Sequence, residues 1–168
     1  MNRLRIYPDP ALRTNAKRVE DFDTRRLDYI IGMMEKIIKE HKAAGLAANQ
    51  IGVIEQIIII SVEEEIILIN PEIIEYKGKE TKEEGCISLP ETDVEIERST
   101  FVVVKGVDER GERKIIEAND LVARALLHEI DHLNGVLIID KLSPIKRVQF
   151  DMQWKRGENE KGNSSRVF

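Results

Sequence analysis

Two of the three histidines stand four residues apart, in His128-Glu129-Ile130-Asp131-His132, with a glutamate directly after the first. On an α-helix, positions i and i+4 lie one above the other, so both imidazoles face one point in space. That geometry suits one metal ion held through two nitrogens, with a carboxylate beside it as proton acceptor. With histidine this scarce, a random chain of this length would show His-Glu-x-x-His roughly once in a few hundred attempts. The plainer alternative is a helix with two hydrogen-bonded histidines and no metal.

Two ligands do not complete a catalytic site, which usually takes three protein ligands and keeps one position open. His41, Glu83, Glu84 and Cys86 are the candidates for the third. Cys86 stands out as the only thiol, in Glu83-Glu84-Gly85-Cys86-Ile87-Ser88-Leu89-Pro90, where the glycine permits a tight backbone and the proline closes the segment. A lone cysteine is more often a packing residue. A two-histidine helix in the same small chain reverses that preference. His41 ends a different amphipathic segment, where a cation near a helix C-terminus is the simpler explanation.

The elements that must position these groups can be read from periodicity. Leu121, Val122, Ala123, Ala125, Leu126, Leu127, Ile130 and Leu133 cover most of a helix over residues 120 to 134, capped by Asn119 or Asp120 and ended by Gly135. Only Arg124 and Asp131 offer it a solvated edge, so the spacing predicts a buried, central helix wrapped by sheet. Burying His128, Glu129 and His132 without partners would be costly, and a metal supplies a partner. Leu27, Ile30, Ile31, Met34 and Ile38 predict an N-terminal amphipathic helix starting after Asp23 or Thr24. Ile57 to Ile60 and Ile66 to Ile69 read as buried strands, the second stopped by Asn70-Pro71. Val94 to Arg98 alternates like a half-buried strand, and Phe101 to Val107 and Glu112 to Glu117 flank a hairpin turn at Asp108-Glu109-Arg110-Gly111. Tyr7-Pro8-Asp9-Pro10 is expected to be extended or turned rather than helical. A last helix is expected from Pro144, with a polar, frayed tail from about residue 156 to 168.

The whole chain narrows the field. Its 168 residues suit one domain with a real core. A net charge of −5, with 26 Lys+Arg against 31 Asp+Glu, argues against DNA or RNA binding through a basic footprint. No run reaches the roughly 18 apolar residues of a membrane span, and no signal-peptide core opens the chain, so the expectation is a cytoplasmic protein. One cysteine cannot make an internal disulfide.

Three segments in this order resemble peptide deformylase: Gly45-Leu46-Ala47-Ala48-Asn49-Gln50, Glu84-Gly85-Cys86-Ile87-Ser88, and His128-Glu129-Ile130-Asp131-His132-Leu133-Asn134-Gly135. Tyr7-Pro8-Asp9-Pro10-Ala11-Leu12-Arg13 also looks like the family's start, so the likeness runs to about Pro144. The resemblance implies an α+β fold, with antiparallel sheets around the histidine-bearing helix. It implies hydrolysis of the formyl group from N-formylmethionine on newly made polypeptides. By position, Cys86, His128 and His132 would ligate the metal and Glu129 would be general base and acid. Gln50 and the Ile87 backbone N–H would stabilise the oxyanion, and Gly45 would line the substrate groove, with Leu46 and Ile87 helping to keep it narrow enough for formyl alone. One departure is Ala43, where the family's first segment normally begins with glycine. If that position needed a positive φ, alanine would strain it.

The implied cofactor is one divalent ion, natively ferrous iron, with zinc, nickel or cobalt as chemically acceptable occupants of a thiolate and two imidazoles. The partners implied are N-formylmethionyl nascent peptides, to which a transient ribosome contact would be suited. Such a metal lowers the pKa of water toward neutrality, Glu129 takes and returns the proton, and donors meet the charge growing on the formyl oxygen. Two other readings compete. A zinc peptidase shares the His-Glu-x-x-His helix but takes a third ligand downstream, where this chain has no further histidine. A non-catalytic metal module would close its site with a fourth protein ligand, and no second cysteine exists.

Overall fold

The structure is a computed structural model and describes residues 3–157 and 166–167. In chain order the elements are α1 (Thr24–His41), β1 (Gly45–Ala47), β2 (Ile57–Ser61), β3 (Glu65–Lys77), β4 (Glu80–Cys86), β5 (Leu89–Arg98), β6 (Phe101–Val107), β7 (Arg113–Asn119), α2 (Asp120–Leu133), α3 (Pro144–Gly157) and β8 (Arg166–Val167). This is an α+β arrangement. One sheet runs β1-β2-β3-β6-β7, with each neighbouring pair antiparallel. The other runs β4-β5-β8, antiparallel between β4 and β5.

The surroundings of β2 explain its run of isoleucines, Ile57 to Ile60. Strand side chains alternate between faces, and both faces here are covered. Ile58 and Ile60 pack with Ala123, Leu126, Ile130 and Leu133 of α2. Ile57 and Ile59 pack with Leu27, Ile30, Met34 and Ile38 of α1. The sheet is therefore filled on both sides, and all four isoleucines are inaccessible to solvent. α1 starts where expected: the Asp23 carboxylate accepts from the Arg25 and Arg26 N–H groups at 3.0 and 3.3 Å. That capping satisfies donors left orphaned by the first helical turn.

Several boundaries differ from the sequence reading. β3 does not stop at Asn70-Pro71 but continues to Lys77. Its pairing with β6 shifts register between Ile69 and Glu72 and again between Ile73 and Glu75. Such bulges leave a residue unpaired, so Pro71 costs the ladder nothing there. Asn70 sits at φ +52 and clips this bend to Val19, accepting from its N–H at 2.8 Å and donating to its carbonyl at 2.9 Å. Residues Pro10–Arg13 form one short 3-10 turn, which shares only Pro10 with the Tyr7–Pro10 segment expected to be extended or turned. Proline is tolerated at its first position, where no N–H is needed, and the Asp9 carboxylate accepts from the Ala11 N–H at 2.9 Å.

The larger correction concerns β4. The run Glu80–Cys86 carries no apolar alternation and was not expected to be a strand, yet it pairs along its length with β5. Its inward face carries Glu84, which meets arginines instead of an aliphatic core. For the same reason the solvated edge assigned to α2 is wrong. Arg124 is buried and Asp131 is bonded to Arg98, because this edge of α2 faces the β4–β5 hairpin. Leu121, with Asp120 before it, is exposed instead.

α3 follows Ser143 as expected. Phe150 is fully buried beside Tyr7, with ring centroids 5.9 Å apart, and Trp154 packs edge-on against Tyr7 at 5.4 Å. Of the tail expected to fray, Arg166–Val167 pairs in parallel with Thr92 and Asp93 of β5. Residues 158–165 and 168 lie outside the described residues. No helix among the described residues is long and apolar enough to cross a membrane.

Candidate active site

α2 brings His128 and His132 to one face a turn apart, and the end of β4 delivers Cys86 to the same point. Cys86 Sγ lies 3.2 Å from His132 Nε2, which lies 3.2 Å from His128 Nε2. The three donor atoms all fall within 4.8 Å of one another, and so could hold one metal ion. The fit is quantitative. Ligand atoms at roughly 2.0 to 2.3 Å from a tetrahedral ion stand roughly 3.3 to 3.7 Å apart, close to the spacings seen here. Of the other candidates for third ligand, His41 is exposed at the end of α1 and Glu83 is exposed on β4. Neither joins the group.

Glu84 has a different place from the one considered for it: behind the histidine, not among the donors. Its Oε1 is 3.0 Å from His128 Nδ1, on the side of the ring away from the cluster. That contact orients the imidazole and leaves Nε2 for a metal. Arg98 grips the same carboxylate in a fork, with Nε and a terminal nitrogen 2.9 and 3.0 Å from its two oxygens, and Arg124 adds a contact of 2.7 Å. Burial alone would raise the Glu84 pKa, but hydrogen bonds from His128 and Arg98 hold it down at about 2. Burial works against charge on His128, yet its hydrogen bonds to Cys86 and Glu84 push its pKa well up. His132 goes the other way, lowered by burial and by the positive charge of His128 and Arg98. The Asn49 side-chain amide donates to the His132 carbonyl, tying the loop after β1 to the end of α2.

Glu129 is 4% exposed and its Oε2 has no hydrogen-bond partner among the described residues. Burial, reinforced by the charge of Glu84, raises its pKa to about 7 against the pull of His128 and Arg98. A carboxyl balanced near neutrality suits proton transfer in both directions. It sits against Gly45: a Cβ placed on that glycine would lie 2.9 Å from Glu129 Oε1 and 3.0 Å from the Ile59 carbonyl oxygen. Glycine there is thus a matter of room. The Gln50 side chain is buried at the cavity wall and anchored, its Oε1 accepting from the Ala47 N–H at 2.8 Å. Its Nε2 is 3.7 Å from Cys86 Sγ.

A cavity of about 670 Å³ opens over this group, lined by Gly45, Gln50, Cys86, Ile87, His128 and Glu129 among others. Ile87 stands in the turn between β4 and β5, next to Cys86. Leu46 is the exception among the expected groove residues. Its side chain is fully buried in the core against α1 and does not line the cavity. Ala43 is not strained: the positive φ, +51, belongs to Lys42, which caps α1, and the Ala43 N–H bonds to the Ile38 carbonyl at 3.0 Å.

Comparison with known proteins identifies the family. The family model for polypeptide deformylase matches residues 1–148. The chain belongs to the polypeptide deformylase family. It is 47% identical over 141 residues to peptide deformylase 1 of Clostridium acetobutylicum, covering 83% of this chain and 93% of that one. The peptide deformylase of Thermodesulfovibrio yellowstonii is 40% identical, over 90% of this chain and 95% of its own. Among solved structures, a Legionella pneumophila peptide deformylase superposes with a TM-score of 0.87 at 37% identity, covering 96% of this chain and 99% of that one. Family membership carries the α+β fold and metal dependence with it. Arg98 and the backing role of Glu84 were invisible from the sequence. Arg124, a lone cation on an otherwise apolar helix, was the one available signal that a buried acid faced it.

Proposed function

We propose that this site hydrolyses N-formylmethionyl peptides to formate and a free N-terminal methionine, with Cys86, His128 and His132 holding the ion. Membership of the family makes the chain a metal-dependent hydrolase that removes the formyl group from an N-terminal methionine. The observation that carries the residue assignment is the convergence of one thiol and two imidazoles beside a buried carboxyl whose Oε2 has no hydrogen-bond partner among the described residues. When bound, the ion supplies Lewis acidity, polarising a carbonyl oxygen and making water a better nucleophile near neutral pH.

Glu129 takes the proton of the attacking water and then delivers it to the departing methionine nitrogen. As the formyl carbon becomes tetrahedral, negative charge grows on its oxygen, where the Gln50 side-chain amide and the Ile87 N–H donate. Gly45 and Ile87 narrow the groove around the smallest acyl group. Leu46 supports that wall from within the core and contributes no side chain to it. Glu84 orients His128, and Arg98 and Arg124 hold Glu84 in place.

The native ion in this reading is ferrous iron, with zinc, nickel or cobalt able to replace it. Affinity order alone favours zinc over iron, so supply in the cell decides. Residues 1–168 act as one domain in the cytoplasm, where formylated chains emerge from ribosomes and a transient ribosome contact would bring the substrate close.

The test is metal analysis of anaerobically purified protein together with amine release from N-formyl-Met-Ala and N-acetyl-Met-Ala. Iron with selective cleavage of the formyl peptide is expected. Equal cleavage of both, or faster cutting of an internal peptide bond, would overturn the substrate assignment. Zinc as purified, with full activity in air, would overturn iron alone.

A further inference from the structure

Ser88 follows the turn residue Ile87, is fully buried, and does not line the cavity. A buried hydroxyl is costly unless it is bonded, and this one accepts from Gln50 Nε2 at 3.1 Å. The other end of the same amide is also held. Because a backbone N–H only donates, the Ala47 contact at 2.8 Å identifies the oxygen of Gln50 without ambiguity. Nε2 carries two hydrogens. One goes to Ser88, and the second to Cys86 Sγ, a long contact of 3.7 Å on the side of the three-ligand group, where a closer acceptor would displace it.

From this we infer that Ser88 is a positioning residue: its hydroxyl fixes the plane of the Gln50 amide so that one N–H stays aimed at the reacting formyl oxygen. The inference rests on the donor role proposed above for Gln50. An amide held only through its oxygen swings about that single bond. Held at both ends, it cannot. A donor already aimed before charge develops needs no reorganisation during the reaction, which is where such groups gain their effect.

A double-mutant cycle of Ser88→Ala with Gln50→Ala tests this, measuring kcat, KM and metal content of the holoenzyme on N-formyl-Met-Ala-Ser. Gln50→Ala should lower kcat by about 100-fold, the usual scale for one lost donor. Ser88→Ala should lower kcat by about 10-fold, leaving KM within about twofold and metal content unchanged, since the donor is loosened and not removed. Added to Gln50→Ala, it should cost less than about twofold more, because residues acting as one unit are not additive. A purely packing role would give the same loss in both backgrounds, and that result overturns the proposal. So does a Ser88→Ala enzyme with full kcat. If Gln50→Ala itself keeps full kcat, the donor role of Gln50 fails first and is distinguished by that. Should Ser88→Ala lose metal or melt early, the cycle is repeated with Ser88→Cys, which keeps the volume but accepts hydrogen bonds weakly, and the same outcomes decide.

Discussion

At the scale of single residues, Glu129 shows how position and environment divide the labour. It neighbours His128 in sequence, yet on a helix successive side chains diverge by about 100°, so it points beside the ligand group. Glu129→Gln keeps the shape and removes the proton acceptor. We expect metal content and melting temperature to hold while kcat falls about 100-fold or more, as measured by amine release. Loss of metal in that variant would reassign Glu129 as a ligand. Gly45 offers a second residue-scale expectation. Its missing side chain makes room for the Glu129 carboxylate on one side and the Ile59 backbone on the other. The backbone cannot yield, so Gly45→Ala must displace the carboxylate. Its kcat should fall at least about tenfold, since small misplacements of a reacting group are that costly. A crystal structure of the variant should show Glu129 moved, and an unmoved Glu129 with normal kcat would refute the argument.

At the scale of elements, the β4–β5 hairpin is held against α2 by charge. Arg98 joins Glu84 of β4 to Asp131 of α2, with side-chain exposure of only 6% for Arg98 and Glu84. Removing one partner from such a network strands the others. Arg98→Met should cost about 3 kcal/mol or more in a denaturation experiment and loosen His128, visible as weaker metal retention. An ordinary surface-like loss below about 1 kcal/mol would show the network to be solvated. The outer face of the same hairpin carries a flaw. Glu83 stands directly across from Glu95, two like charges in register. Glu95→Lys should turn repulsion into attraction and raise stability by about 0.5 kcal/mol, roughly 1 to 2 °C in melting temperature for a chain of this size. No rise would mean that the two carboxylates already avoid each other.

At the scale of the whole molecule, the N-terminal segment and α3 meet at Asp140. Its carboxylate accepts from Arg13, near the N-terminus, from Arg147 of α3 at 2.8 Å, and from the Leu137 N–H at 2.8 Å. Burial would raise its pKa, but the Arg13 hydrogen bond and the Leu137 N–H lower it below the ordinary 3.8. The sign follows from linkage. A carboxyl whose folded pKa is depressed adds stability above its unfolded pKa and loses it as pH falls through the folded value. Asp140→Asn should therefore melt below the parent at pH 7, and the gap should close as pH drops below about 3.8. A gap independent of pH would show that hydrogen-bond shape, not charge, does the fastening. The carboxylate is partly exposed, so the gap should be modest and shrink in salt.

The chemistry was legible in the sequence because it is local. His128, Glu129 and His132 share one helix, and i, i+4 spacing alone dictates that two imidazoles face one point. The isoleucine runs announced buried strands for the same reason: a strand covered on both faces must be apolar at every position. Cys86 could be ranked by residue type, yet only folding shows it 3.2 Å from His132. What tertiary structure alone decided lies across elements. The polar run of β4 becomes a strand because Arg98 and Arg124, 14 and 40 residues away, neutralise Glu84. Arg124 and Asp131, which look like a wet edge, are covered for the same reason. β3 passes through Asn70-Pro71 because pairing with β6, distant in sequence, tolerates a bulge there. Leu46 turns inward although it adjoins Gly45, since which face of a three-residue strand meets α1 depends on where α1 packs. Periodicity reports how one segment meets its surroundings on average. It cannot report which buried charge on one segment will be met by an opposite charge on another, and in this protein those meetings fix His128, Glu84 and the hairpin that carries Cys86.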